Sequence, residues 1–169
     1  GTGQLYHSGV FHQYRDASKV TPQSNGGVRL TREYIGEDGS KGSFSLGEIV
    51  TVRLTIEGLE GAREYGVLED HLPAGMVAVN TTLKNDRMTA DRTRDNFQAF
   101  HMEIGTDSVY LTLHSIPNSQ RVYEYQARVV TSGKYFAPPA QFNLMYEPSV
   151  YANTGGNIVT IANTKYSPK

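Results

Sequence analysis

The chain of 169 residues has no cysteine. That absence excludes disulfides, a cysteine nucleophile, cysteine-ligated zinc and iron–sulfur clusters. It also has almost no net charge: 16 Lys and Arg stand against 17 Asp and Glu, for a formal charge of −1. A nucleic-acid-binding surface needs a basic field to displace counterions, and none is present. No run of five or more basic residues offers an anionic membrane surface a landing site, and no apolar run approaches the length of a membrane span. The hydrophobic share, 38%, is below that of an ordinary globular chain.

Turn-formers and aromatics are plentiful. Seventeen Gly and seven Pro imply many turns, and eleven Tyr with six Phe suit sheet surfaces, where a ring packs on one side and meets water on the other. The length suffices for one domain with a real core.

Period-2 alternation dominates the chain. From Ile49 to Glu57, Val50, Val52, Leu54 and Ile56 face one way and Thr51, Arg53 and Thr55 the other. Val28 to Tyr34 alternates similarly, and a Gly-rich connection over 37–43 follows it. Further strands are expected over Tyr65–Glu69, Met76–Val79, Phe97–Ile104, Ser108–His114 and Val122–Val130, with a closing strand over Asn157–Ile161. In Val122–Val130 the inward face is Tyr123, Tyr125, Ala127 and Val129. Leu5–Tyr14 is a less regular strand candidate, Asp16–Gly27 reads as a linker, and the polar stretch Thr81–Asn96 as an exposed loop. Leu72-Pro73-Ala74-Gly75 is expected to turn the chain, with Pro73 setting φ and Gly75 free to take positive φ. The pattern has seven to nine short strands and no amphipathic helix of three turns, which specifies an all-β antiparallel sandwich of immunoglobulin-like type.

Reactive constellations are scarce. The five histidines lack metal-binding spacing, and neither an HExxH nor an EF-hand pattern occurs. No GxSxG nucleophile elbow is present. Glu69 and Asp70 are adjacent, so on a strand they point to opposite faces, poor geometry for paired acid–base work. Asp70 is expected to accept backbone N–H groups in the turn before Pro73. Gly26-Gly27 and Gly155-Gly156 open no helix and are not phosphate loops. The residues therefore imply no enzyme, no cofactor and no metal. Tyr135, Phe136, Tyr146 and Tyr151 lie around turns, and Pro138, Pro139 and Pro148 stiffen the backbone between them. Aromatics on a stiffened loop lose little entropy on contact. Tyr146, with Met145 and Tyr135, is the candidate surface for contact with another domain; the alternative is that Met145 and Tyr146 fold back on their own sheet.

Several segments, in order, resemble the C-terminal macroglobulin-like domain of bacterial alpha-2-macroglobulins. They are Gly1–Tyr6, Val28–Tyr34 followed by Glu37-Asp38-Gly39, Leu46–Val52, the Glu69–Gly75 turn, Pro138-Pro139-Ala140, Met145-Tyr146-Glu147-Pro148 and the Gly-rich turn before Ile158. Each is weak alone; their order covers nearly the whole chain. Glu147 stands where that family usually has Asp, and His71 where Pro is common. The resemblance implies that residues 1–20 are a strand and linker from a preceding region and residues 21–169 the domain itself. It implies a parent that traps proteases: a bait segment is cut, the molecule rearranges, and a thioester captures the protease. This domain would be non-catalytic, carrying neither bait nor thioester, with the other domains of the parent, including the thioester-bearing region, as its partners. Target proteases would be met only through the parent, which is expected in the periplasm or outside the cell, as a membrane-anchored lipoprotein. From the residues alone, a carbohydrate-binding or adhesin-type sandwich is the competing reading.

Overall fold

The structure, a computed structural model, describes residues 3, 6–12, 16, 19–58, 61–79, 99–116 and 118–167. Thirteen strands lie among them: β1 (Gln23–Asn25), β2 (Arg29–Ile35), β3 (Ser43–Leu46), β4 (Ile49–Glu57), β5 (Arg63–His71), β6 (Met76–Ala78), β7 (Ala99–Ile104), β8 (Ser108–Ile116), β9 (Arg121–Val129), β10 (Gly133–Ala137), β11 (Gln141–Leu144), β12 (Tyr151–Asn153) and β13 (Asn157–Lys165). The strands of five or more residues fall within the expected number. The additions are β1, β3, β10, β11 and β12, each three to five residues long and too short for alternation to show.

Three sheets form. Six strands run in the order β1-β12-β11-β5-β8-β7, four in the order β2-β4-β9-β6, and three in the order β10-β13-β3. Every pairing is antiparallel except β13 with β3. The inner faces share one core. Val50, Val52, Leu54 and Ile56 of β4 lie in it with Tyr123, Tyr125, Ala127 and Val129 of β9, opposite Leu68 of β5 and Val109, Leu111 and Leu113 of β8. Phe44, Ala137, Val159 and Ile161 bring the three-stranded sheet into the same core. The alternation read from Ile49–Glu57 and Val122–Val130 is therefore the true inside–outside register.

Some expectations need correction. The linker over 16–27 contains β1, which pairs with β12 by Gln23↔Asn153, Ser24↔Ala152 and Asn25↔Tyr151. Residues 6–12 of the Leu5–Tyr14 strand candidate form no strand; the polar stretch Thr81–Asn96 lies outside the described residues. The turn at Leu72–Gly75 is present, with Met76 N donating to Pro73 O at 2.9 Å. Gly75, however, does not adopt positive φ. A Cβ at that position would drive into the ring of Tyr135 and the side chain of Ile161. Glycine is required there by close packing, not by backbone conformation.

Candidate functional site

Asp70 corrects the expectation made for it. It does not cap the turn before Pro73. On β5 its parity matches Leu68, so its side chain enters the core, where it is fully buried. Arg32 of β2, inward between Leu30 and Tyr34, meets it there in a buried ion pair through Nη1 and Oδ1. The Tyr125 hydroxyl donates to Asp70 Oδ2 at 2.7 Å. Arg32 also reaches the carbonyls of His71 at 3.4 Å and Ala137 at 3.5 Å, and its guanidinium lies 5.1 Å from the centre of the Tyr34 ring. Burial pushes the Asp70 carboxyl above the usual carboxylate range, while Arg32 and Tyr125 pull it back. The cluster bolts the four-stranded sheet to the six-stranded one, with a further contact to β10. It has no exposed face, so its chemistry is internal.

A second cluster sits at the surface, where β11 turns into β12. Leu144 N donates to Val150 O at 3.1 Å, and Val150 N to Glu147 O at 2.9 Å. Pro148 therefore occupies the second position of a four-residue turn, the place where its fixed φ fits best. Asn25 Nδ2 donates to Ser149 O at 2.7 Å, tying the turn to β1. Met145 N donates to Tyr65 O at 2.8 Å, tying it to β5, and Arg63 pairs loosely with Glu147 at 3.8 Å. On this braced turn Met145 is 46% exposed and Tyr146 81%. The Tyr146 ring stands edge-on to Tyr65, centroids 5.4 Å apart at 86°, and Tyr65 in turn meets the His114 ring at 5.1 Å and 64°. Both spacings lie in the range of favourable aromatic pairs.

The three residues expected to form one contact surface divide in the structure. Met145 and Tyr146 share the braced turn. Tyr135 lies on β10 in another sheet, partly buried against the core, and its hydroxyl donates to Ser132 O at 2.9 Å. Tyr123 and Tyr125 are core, as their register required. Sequence reasoning passed over Tyr65 and Arg32 and gave Asp70 a different role. Inward parity on β2 and β5 was the available signal for the buried pair. Nothing local marks Tyr65, whose partner is distant in the chain.

Among the described residues, no three His, Asp or Glu side chains come together as a metal ion would require. His71 sits 2.7 Å from Glu69, with the Tyr110 ring edge-on to it at 6.3 Å, and His101 3.3 Å from Glu103, all on the outer face of the six-stranded sheet. What the surface can do is make contact: a rigid turn presents a large exposed ring beside a thioether.

Comparison with known proteins gives this architecture a family. The model of the bacterial alpha-2-macroglobulin MG10 domain matches residues 27–149. An alpha-2-macroglobulin homolog of Nostoc sp. (strain PCC 7120 / SAG 25.82 / UTEX 2576) is 24% identical over 168 residues, covering 91% of this chain and 9% of the Nostoc protein. The chain thus spans about a tenth of that relative's length. Among solved structures, native alpha-2-macroglobulin from Escherichia coli, spanning domain MG7 to the C-terminus, superposes with a TM-score of 0.71 at 21% identity, over 85% of this chain and 24% of that one. Salmonella alpha-2-macroglobulin reacted with methylamine gives 0.69 at 24% identity, over 85% of this chain and 10% of that one. At these identities the superpositions show the fold.

Proposed function

This chain belongs to the bacterial alpha-2-macroglobulin MG10 domain family, and on that premise we propose that it is a non-catalytic packing domain of a larger protease-trapping protein, one that resides in the periplasm or outside the cell. The observation that carries the reading is the braced turn at Met145–Val150. Tyr146 is 81% exposed on it, although the backbone around it is tied at Leu144, Met145 and Val150. A large ring held out on a stiff turn is a poor way to stabilise this domain and a good way to anchor a neighbour. The partner is another domain of the parent, and the thioester-bearing region is the one implied by the family resemblance. Edge-to-face packing of Tyr146 on Tyr65 leaves no flat, continuous ring platform of the kind that stacks a sugar, so the carbohydrate-binding alternative is disfavoured.

The test is Tyr146→Ala, made both in this chain and in the full-length parent. The melting temperature of the chain should stay within about 2 °C, as for an exposed surface change. The parent should lose its resting conformation, read as faster limited proteolysis between domains before any bait cleavage. An early melt of the chain itself, with the parent following it, would make Tyr146 a structural residue and end the interdomain reading.

A further inference from the structure

An exposed tyrosine spreads over several rotamers unless something holds it. Tyr146 is held by Tyr65, and Tyr65 is unusual. Its φ is +57°, and it is the one non-glycine residue with positive φ among the described residues. That conformation crowds Cβ against the backbone, so side-chain-bearing residues avoid it. Within a strand, such a kink is commonly explained by a bulge that resets the register. No register change occurs here: Glu64 faces Ser115, Gly66 faces Leu113, and the pairing runs on unshifted to His71↔Ser108. The distortion removes only the Tyr65–His114 pair from the ladder, and beyond it the buried side of β8 passes from Leu113 to Ile116.

What it accompanies is the placement of one ring. Tyr65 stands half-buried on the outer face of β5, with Tyr146 on one side at 5.4 Å and His114 of β8 at 5.1 Å. Its own carbonyl receives the Met145 N–H at 2.8 Å, so the same residue fixes both the backbone and the ring of the turn. On its other flank, Gly66 admits the side chains of Ile116 and Phe142 where a Cβ would clash, which locks the strand against the core directly beneath the kink. A strained backbone that shifts no register and holds one ring between two others points to a function for the strained residue.

We propose that Tyr65, backed by His114, is a positioning residue for Tyr146, fixing that ring in advance for its contact with a neighbouring domain of the parent. This rests on the function proposed above and extends the contact surface to two residues on other strands. Pre-organisation of an anchor strengthens a contact by removing the entropy cost of ordering it on binding.

The experiment is hydrogen–deuterium exchange of the 145–151 segment, compared between the full-length parent and this chain alone. The ratio of the two rates reports the interdomain contact. Tyr146→Ala should reduce that ratio by about thirtyfold or more, as expected for an anchor residue. Tyr65→Gly should reduce it about three- to tenfold, the worth of one aromatic pair. Tyr65→Phe should restore the wild-type ratio, because the ring and not the hydroxyl is used. In this chain alone, Tyr65→Gly should broaden the motion of the Tyr146 ring by NMR without lowering the melting temperature, since glycine relieves the backbone at φ +57°. If Tyr65→Gly weakens the sheet, Tyr65→Asn, which tolerates the same backbone, takes its place. Loss of the ratio in Tyr146→Ala but not in the Tyr65 variants overturns the positioning role and leaves the interdomain contact standing. An unchanged ratio in Tyr146→Ala overturns both.

Discussion

Arg32 and Glu33 are neighbours in the chain and end in opposite surroundings. Arg32 enters the core and pairs with Asp70, both side chains wholly removed from solvent. Glu33 faces out, where Lys41 reaches it at 2.5 Å. Across the strands Glu33 is in register with Arg53, and Arg53 with Glu124, its Nε 2.6 Å from the carboxylate. Inside and outside thus use the same pair chemistry. The outer ladder is solvated, screened by salt, and contributes little. The inner pair joins two sheets across the core, and either half left alone would be an uncompensated buried charge. Strand parity, a single residue of offset, decides which role a charge plays.

The largest effect should come from breaking the inner pair. Asp70→Ala should destabilise the chain by about 3–5 kcal/mol, because Arg32 keeps its charge in an apolar core. Denaturant melts would measure it. Replacing the set together, Arg32→Met with Asp70→Leu and Tyr125→Phe, should recover most of that loss, since neither buried charge is then left without its partner. Failure of the triple variant to recover would mean that the cluster specifies the sheet-to-sheet docking and does more than satisfy itself.

Leu54→Ala against Arg53→Ala repeats the contrast one strand away. Leu54 is fully buried, and its truncation should cost about 2–5 kcal/mol. Arg53 is half-exposed, and its truncation should cost at most about 1 kcal/mol. Similar losses from the two would break the register on which the inside–outside distinction rests.

Those two positions were readable from the sequence, because nine residues of uninterrupted alternation leave no doubt about parity. So were Tyr123 and Tyr125. Asp70 was misread because an acidic residue two places before a Leu-Pro turn has an ordinary local use, and the partner that overrides it, Arg32, lies 38 residues away. The same limit hid Tyr65. Its ring meets Tyr146 through a turn on another strand, and a left-handed tyrosine has no compositional mark. Met145 and Tyr146 were legible because prolines announce a stiff turn, whereas Tyr135 shared that signal and packs on its own domain over Gly75.

Alkaline pH should test the buried phenols. Burial pushes the phenols of Tyr34 and Tyr125 up and that of Tyr123 to about 12. Ordinary unfolded tyrosine ionises near pH ~10. These are folded-state values raised above the unfolded one, so their contribution is fully present below pH ~10 and is lost as pH rises from there through the folded values. Each phenol should remove about 1.4 kcal/mol per pH unit above pH ~10. Absorbance at the phenolate band should show these three ionising only as the far-UV signal of the sheet disappears. Their titration in a still-folded chain would mean that water reaches the core.

The smallest effect separates the two environments most sharply. Asp70 and Glu33 are carboxyl groups on strands of different sheets, each facing a cation, yet they should shift in opposite directions. For Asp70, burial outweighs Arg32 and Tyr125 and raises the value. For Glu33, the hydrogen bond from Lys41 outweighs slight burial and lowers it. The linkage signs follow. The Asp70 contribution is present below the ordinary carboxyl range and declines as pH rises through its raised value; that of Glu33 is present above the ordinary range and is lost as pH falls through its lowered one. Because Glu33 is largely exposed, its share should be at most a few tenths of a kcal/mol, roughly that of a screened surface pair. Carboxyl carbon shifts followed through an acid titration would resolve both. Adding salt to about 1 M should move Glu33 back toward its ordinary value and leave Asp70 where it is, since mobile ions reach only the outer face. If Asp70 instead titrates at or below the ordinary range, the Arg32 attraction exceeds the cost of burial, and the inner pair stabilises the fold outright.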